Sequence, residues 1–500
     1  MKKSVCKRIG RTSGMRKIAI IGAGVAGVSV LNALLKNSYY ADCEVVIYDQ
    51  QKTFGTGLPY QPDDEQLLIN QTADTMSLIP EDALDFVNWL NREKGIADGA
   101  KENFPRSWYG EYLKEHLKKA VKAIKPTIIY EYVLTVRVEK NGKYIIKTAT
   151  TAERYDIVHL CTGHLPYQDP YQLIGENKYY YHPYPLQETL SAIPSKARVG
   201  IIGTGLTSID IMNFLKSRNK EYKIQFFSRT GRFSLYRELE SELTLHYLTM
   251  ENLNRVKKEH NGHVPLETIK EWFYLECFSN EIDVKELQIL YGKGTKEQLK
   301  AQLVNENQLS ALQTIIYKFD PFLAEFLQAL TVEDKKTFFS LYESLLNHFR
   351  TPMPKESLRS LLAWWDSGEV DVVTGLQNVE VTESGFNMLL KNAKAMQVDC
   401  LINATGHDLA MKPSLYQTEL INQLIDEEII QSSNFGGIQV SWPNAEVISP
   451  RYGQLKGFSA HGQLIKGTQY VNSARAIMLR AHLVVDESIK DWAQKDVQIV

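Results

Sequence analysis

Three glycines, Gly22, Gly24 and Gly27, stand in the order GxGxxG, and Asp49 follows roughly 20 residues past the third. That pattern suits the holding of phosphates rather than covalent catalysis. Gly22 permits a tight turn, Gly24 lets the backbone approach a pyrophosphate, and Gly27 lets a helix pack closely on a strand. The N-terminus of that helix offers N–H groups and the positive end of its dipole to the phosphates. Asp49 is placed to accept hydrogen bonds from ribose hydroxyls. A second set, Gly203, Gly205 and Ser208, leads instead to Ser228 and Arg229. A carboxylate there would repel a 2′-phosphate, whereas a guanidinium and a hydroxyl would hold one. The first unit is therefore expected to bind a dinucleotide with a free ribose, and the second to prefer NADPH. The plainer alternative for Arg229 is a solvated surface charge.

These residues need strands and helices to position them, and the local pattern supplies both. Lys17 to Ile21 is a short β-branched run, Val25 to Leu35 has helical apolar spacing, and Glu44 to Tyr48 is a second strand. The arrangement recurs with strand 198–202, helix-like 209–215 and strand 223–227. Between the units lie a helix-rich stretch, 83–124, an expected β-meander over 128–148, and a strand ending in Cys161-Thr162-Gly163. Residues 164–195 are rich in Pro and Tyr and read as a linker. Residues 238–366 alternate apolar and charged side chains at helical spacing and read as an insertion. A strand ending in Ala404-Thr405-Gly406 follows, then a glycine-rich loop over 453–467, a helix beginning near Thr468, and a helix-like stretch from Asn472.

Composition narrows the function classes. The chain has 500 residues and a net charge of −2, with 44% hydrophobic and 23% charged residues. That is ordinary globular composition, without the basic field that nucleic acid or an anionic membrane would call for. The five cysteines are scattered, with no CxxC pair, which argues against a disulfide scaffold, a cysteine zinc site and a CxxC redox centre. No metal site is expected. No apolar run has the length of a membrane span. The first fourteen residues are basic but lack the apolar core of a secretory signal and read as a tail, so a cytoplasmic location is expected.

The two glycine units, each followed by a strand that ends in Thr-Gly, resemble the flavoproteins with two dinucleotide-binding domains, a superfamily that includes N-hydroxylating and Baeyer–Villiger monooxygenases. Phe54-Gly-Thr-Gly-Leu-Pro-Tyr60, Leu68-Ile-Asn-Gln-Thr72, Phe104-Pro-Arg106 and the 453–467 segment resemble bacterial FAD/NAD(P)-binding proteins within it. The resemblance implies an α/β fold with two Rossmann-like domains and an added helical insertion. It divides the chain into a tail (1–14), an FAD-binding domain (15–190 and 407–500), an NADPH-binding domain (191–237 and 367–406) and the insertion (238–366). It further implies that Gly55, Gly57 and Tyr60 lie along FAD and that Asn70 and Met76 approach the isoalloxazine ring. Thr162, Gly163, Thr405 and Gly406 would face the cofactor crevices. Gly462, Gln463 and Leu464 would close over the pyrimidine end of the flavin. Arg106 is a candidate for the FAD pyrophosphate or for NADPH. Asn70 and Arg350 are the candidate catalytic residues. Asn70 could equally cap a turn; Arg350 could hold a substrate carboxylate bidentately or simply end a helix.

The implied activity is FAD- and NADPH-dependent hydroxylation of a small molecule, such as an amine or amino acid, by O₂. Two alternatives stay open: a flavin reductase or dehydrogenase without oxygen transfer, and a non-catalytic flavoprotein whose insertion binds a protein partner. A homo-oligomer is also left open.

Overall fold

The computed structural model describes residues 15–218, 221–237, 242–304, 308–391 and 394–498. The expected tail, 1–14, lies outside these, as do residues 238–241 at the start of the expected insertion. The chain begins with β1 (Lys17–Ile21), α1 (Val25–Lys36), β2 (Glu44–Tyr48), α2 (Asp85–Lys94), α3 (Arg106–Ile124) and β3 (Thr127–Ile129). A meander of β4 (Thr135–Val138), β5 (Tyr144–Lys147) and β6 (Ala152–Tyr155) follows, then β7 (Ile157–Leu160). Next come β8 (Tyr179–Tyr180), α4 (Leu186–Leu190), β9 (Arg198–Ile202), α5 (Leu206–Ser217) and β10 (Lys223–Ser228). The helical region comprises α6 (Met250–Glu259), α7 (Leu266–Ser279), α8 (Val284–Tyr291), α9 (Lys296–Val304), α10 (Leu309–Ala329), α11 (Val332–Thr337), α12 (Glu343–Arg350) and α13 (Lys355–Asp366). One turn of π-helix, Phe338–Tyr342, joins α11 to α12. The chain then forms β11 (Val370–Thr374), β12 (Leu376–Thr382), β13 (Gly385–Leu390), β14 (Ala395–Val398) and β15 (Cys400–Asn403). It ends with α14 (Glu419–Asp426), β16 (Glu446–Ser449), β17 (Gly453–Ala460), α15 (Lys466–Gln469) and α16 (Ala474–Gln498).

Two parallel sheets carry the architecture. The first runs β16-β17-β7-β1-β2-β3, parallel throughout except for the β16–β17 pair. The second runs β11-β10-β9-β15-β8, all parallel. Their central strands are buried almost along their whole length, as helix-covered parallel strands must be, which explains the unbroken apolar runs in the sequence. Each unit adds a three-stranded antiparallel sheet, β4-β5-β6 or β12-β13-β14.

Four local expectations change. Ile128 and Ile129 belong to β3, paired in parallel with β2, so the meander starts only at Thr135. The Pro- and Tyr-rich stretch is not merely a linker: it supplies β8 to the second sheet and the short helix α4. The 453–467 segment is largely strand, because β17 pairs in parallel with β7 and brings Phe458 and Ala460 into the core. The helix expected near Thr468 is the four-residue α15, and the long terminal helix starts at Ala474. The insertion shares one continuous apolar core with the second unit, through Phe226 and Phe233 on one side and Phe319, Phe326 and Phe349 on the other.

Candidate functional site

Both glycine turns have the same construction. A Cβ on Gly22 would lie 2.3 Å from the Cys161 carbonyl oxygen, and one on Gly203 would lie 2.4 Å from that of Ala404. The first glycine of each turn is thus pressed against the residue before a Thr-Gly ending, and both have positive φ, so no other residue fits. Gly24 and Gly205 are the N-cap residues of α1 and α5, and neither helix has a side-chain cap, leaving their first N–H groups for an anion. The third positions differ. A Cβ on Gly27 would meet the Gly22 carbonyl oxygen at 2.0 Å, whereas Ser208 fits and donates to the Gly205 carbonyl oxygen at 2.6 Å.

The strand-end residues hold these turns. Asp49 Oδ2 accepts from the Ala23 N–H at 2.8 Å and Oδ1 from the Gln50 N–H at 2.6 Å. Burial pushes the Asp49 carboxyl up, and the two N–H groups pull it back in part. Ser228 Oγ lies 3.3 Å from Thr204 Oγ1, the same tie with hydroxyls. Arg229 is exposed beside Tyr171. Over the first turn lies the 51–60 loop, anchored by the Gly55 N–H donating to the Ala23 carbonyl at 3.1 Å. Gly24 and Gly57 face each other there: a Cβ on Gly24 would come within 3.3 Å of the Gly57 Cα. The Tyr60 ring lies 4.7 Å from that of Tyr109, tilted by 57°, and burial raises its phenol.

A cleft of about 790 Å³ opens between the first unit and the insertion. Tyr60, Asn70, Met76 and Gln463 line it from one side, Tyr317, Asp320 and Arg350 from the other. A groove of about 370 Å³ begins at Thr204 and Gly205 on the second turn. Arg350, Thr351, Lys466 and Tyr470 line both spaces, so the two sites meet at these residues. Arg350 Nε donates to Asp320 Oδ1 at 2.7 Å, and its guanidinium lies 5.6 Å from the Tyr470 ring. Arg237 stands against the same pair and donates to the Arg350 carbonyl oxygen at 2.7 Å. Burial raises the Asp320 carboxyl, with Arg350 opposing it, and lowers Arg237 to about 10. Arg350 and Arg237 thus both act on the Asp320 carboxylate, while Glu343 faces Lys466 and Tyr470 nearby.

Two expectations are corrected. Arg106 is not open to a phosphate: its guanidinium meets Asp210 of α5 at 2.8 Å, and the Tyr184 hydroxyl donates to the same Asp210 oxygen at 2.6 Å. It ties the two nucleotide units together. Leu464 does not face the cleft; it is fully buried in the core, and its carbonyl accepts from the Ile438 N–H. Gly462 packs near Ala26 and Ile477, so Gln463 alone of that trio lines the cleft. Thr405 Oγ1 donates to Asn403 Oδ1 at 2.8 Å and so stiffens its own turn.

Other residues at the site were not singled out in the sequence. Asn472 and Arg475, just before and within the first turn of α16, line the cleft with buried polar atoms that have no partner: both amide atoms of Asn472 and one terminal nitrogen of Arg475. Buried polar groups in a native fold are nearly always satisfied, so these atoms fit a polar ligand such as the isoalloxazine edge. Arg232 lines the groove with a buried Nε that has no partner, whereas exposed Arg229 is not among the groove's lining residues. Its position in Arg229-Thr-Gly-Arg232 was a legible signal. Among the described residues no three His, Cys, Asp or Glu side chains are grouped to hold a metal, and no helix is long and apolar enough to cross a membrane.

The FAD-NAD(P)-binding family profile matches residues 19–165. Over 214 residues, 39% of the chain, the sequence is 24% identical to the uncharacterized protein YdhS of Escherichia coli strain K12, a match spanning 38% of that protein. L-lysine 6-monooxygenase from Pseudomonas syringae superposes with a TM-score of 0.61 at 13% identity, over 95% of this chain and 99% of that one. An ornithine N-hydroxylase from Kutzneria sp. 744, held with reduced FAD, NADP⁺ and L-ornithine, gives 0.56 at 13% identity, over 96% and 100%. Residues 19–165 thus match the FAD-NAD(P)-binding family, in a chain that shares the fold of these two monooxygenase structures.

Proposed function

We propose that the chain is an FAD-dependent oxidoreductase that consumes NADPH and hydroxylates a small molecule of the amine or amino-acid class. The observation that carries this reading is the meeting of the flavin-side cleft and the second-turn groove at Arg350, Thr351, Lys466 and Tyr470. A nicotinamide held in the groove and a flavin held in the cleft would come together there. FAD, when bound, supplies hydride acceptance and oxygen activation. The protein supplies position: the uncapped starts of α1 and α5 hold the two pyrophosphates, and Asn472, Arg475 and Gln463 meet the polar flavin edge. Buried Met76, whose carbonyl accepts from the Tyr109 hydroxyl, keeps water from the cleft floor. Arg350 attracts an anionic group of the substrate.

The purified protein is expected to oxidise NADPH faster with one member of a panel of amines, amino acids and ketones, with little hydrogen peroxide released. Peroxide equal to NADPH consumed with every compound would sink hydroxylation and leave an oxidase or reductase. Arg229→Ala and Arg232→Ala should each lower kcat/KM for NADPH about ten- to a hundredfold, since a charge-assisted hydrogen bond contributes roughly 1.5–3 kcal/mol. NADH, without a 2′-phosphate, should be little affected; an equal loss with both would assign the arginines another role. Arg350→Ala should cut substrate-stimulated turnover at least about tenfold while flavin content and basal oxidation hold. Arg350→Lys should recover part of the loss. If Arg350→Ala instead releases flavin, the arginine supports the fold and substrate binds elsewhere.

A further inference from the structure

Behind the flavin-side cleft, the insertion encloses a second space of about 190 Å³. Its interior walls are hydrocarbon, from Ile315, Phe319 and Leu323 on α10 to Leu345 and Phe349 on α12. Its polar lining side chains are Lys270 and Tyr274 of α7, Gln288 of α8 and Tyr342; Tyr274 and Gln288 are exposed to solvent, and Lys270 lies 5.0 Å from the Tyr342 ring. Native interiors leave few voids larger than a water molecule. An apolar cavity of roughly 150 Å³ stays dry and accepts a benzene-sized molecule.

The walls are built with two soft points. Pro321 sits inside α10, on the side that faces the cleft, and removes a backbone hydrogen bond from the helix shared by cleft and cavity. The π-turn Phe338–Tyr342, a feature often found at functional sites, places both its end residues on the cavity. Helix α10 divides the cavity from the cleft: Tyr317, Asp320 and Ala324 face the cleft, and Ile315, Phe319 and Leu323 face the cavity. On α12, Phe349 lines the cavity and its neighbour Arg350 lines the cleft.

We infer that this cavity is a binding site for a small apolar molecule with one polar end, an aromatic ring or a short aliphatic chain whose polar group lies beside Lys270, Gln288 and Tyr342. With α10 in between, the bound molecule is not the one oxidised at the flavin. It presses on the helices that hold Asp320 and Arg350. Its binding is independent of the oxidoreductase reading, because it needs neither NADPH nor turnover.

The test uses the protein as purified, without NADPH, titrated calorimetrically with p-cresol, toluene and hexan-1-ol and followed by thermal unfolding. At least one probe should bind saturably at one site per chain and raise Tm by about 2–4 °C near saturation. Ile315→Phe and Leu345→Phe, which fill the space from opposite walls, should each lose that binding at least tenfold while keeping flavin content and the far-ultraviolet spectrum. Two filling variants guard against one that fails to fold. The proposal is overturned if none of the three probes binds saturably, or if binding persists unchanged in both folded variants.

Discussion

Gly24→Val is expected to purify without flavin. A Cβ at this position already comes within 3.3 Å of the Gly57 backbone, and the two further methyl groups of valine would drive the 51–60 loop off the turn. The same side chain would occupy the mouth of α1, where backbone N–H groups are left for a pyrophosphate. The consequences compound, because the loop bearing Tyr60 is fastened to the turn by the Gly55 N–H on the Ala23 carbonyl. Burial of the core strands β1 and β2 is untouched, so the variant should still fold, with a stability loss of about 1–3 kcal/mol from local overpacking. Absorbance near 450 nm, set against the far-ultraviolet circular dichroism of the same sample, reads both at once. A yellow, fully loaded Gly24→Val protein would show that the first glycine turn does not bind the flavin. Gly205→Val makes a useful contrast. A Cβ at Gly205 meets nothing within 4 Å, so that variant should keep its flavin and lose NADPH oxidation.

What could be read from the sequence was whatever the chain encodes locally. The β1-turn-α1-β2 run sets its glycines, its helix and Asp49 within one continuous stretch, so spacing alone defines the turn. The repeat around Gly203 is legible for the same reason. The rest of the site depends on contacts between distant segments. Asn472 and Arg475 reach the cleft because α16 packs its buried face, Ile477, Met478 and Ala481, on the first unit's core, and nothing near residue 472 signals this. Arg106 reads as a phosphate ligand in the sequence, and only the fold, which brings Asp210 of α5 to 2.8 Å, gives it a partner. Leu464 shows the converse. Its neighbours Gly462 and Gln463 suggest an exposed loop, but a short 3₁₀ turn after β17 points the leucine into the core. Arg350 reads in the sequence as a candidate for a substrate carboxylate, with a plain helix end as the alternative, but its partner Asp320 lies on another helix, and helical periodicity cannot tell which faces of two helices meet.

Stability should fall steeply as the pH drops from about 6.5 toward 5, because the fold buries neutral histidines. His159 is 1% exposed, with Nδ1 at 3.0 Å from Nε2 of His461; burial lowers it from 6.5 to about 4. His348 is 5% exposed and bonded to the Tyr291 carbonyl at 2.8 Å; burial lowers it to about 4, and nearby Arg232 adds to the effect. The sign follows from linkage. Between the folded and unfolded values the unfolded chain binds protons that the folded chain does not, so acid favours unfolding, and the stabilisation is complete only above the unfolded value near 6.5. At 1.36 kcal/mol per unit, a shift of that size amounts to roughly 3 kcal/mol for each histidine at pH 4. Two such groups weigh heavily against a total stability of about 5–15 kcal/mol. Burial raises the carboxyls of Asp49, Asp210 and Asp320, which act in the opposite direction: their folded forms take up protons before the unfolded ones, so through these groups acid favours the folded state from their raised values downward. The decline between pH 6.5 and 5 is therefore the histidine contribution less what these carboxyls return. Urea midpoints measured at half-unit intervals should decline across that window in the wild type. His348→Gln, whose amide can keep a donor toward the Tyr291 carbonyl, should start lower but show a flatter decline. An unchanged slope in His348→Gln would mean that the acid sensitivity arises elsewhere, with the His159–His461 pair the next to replace.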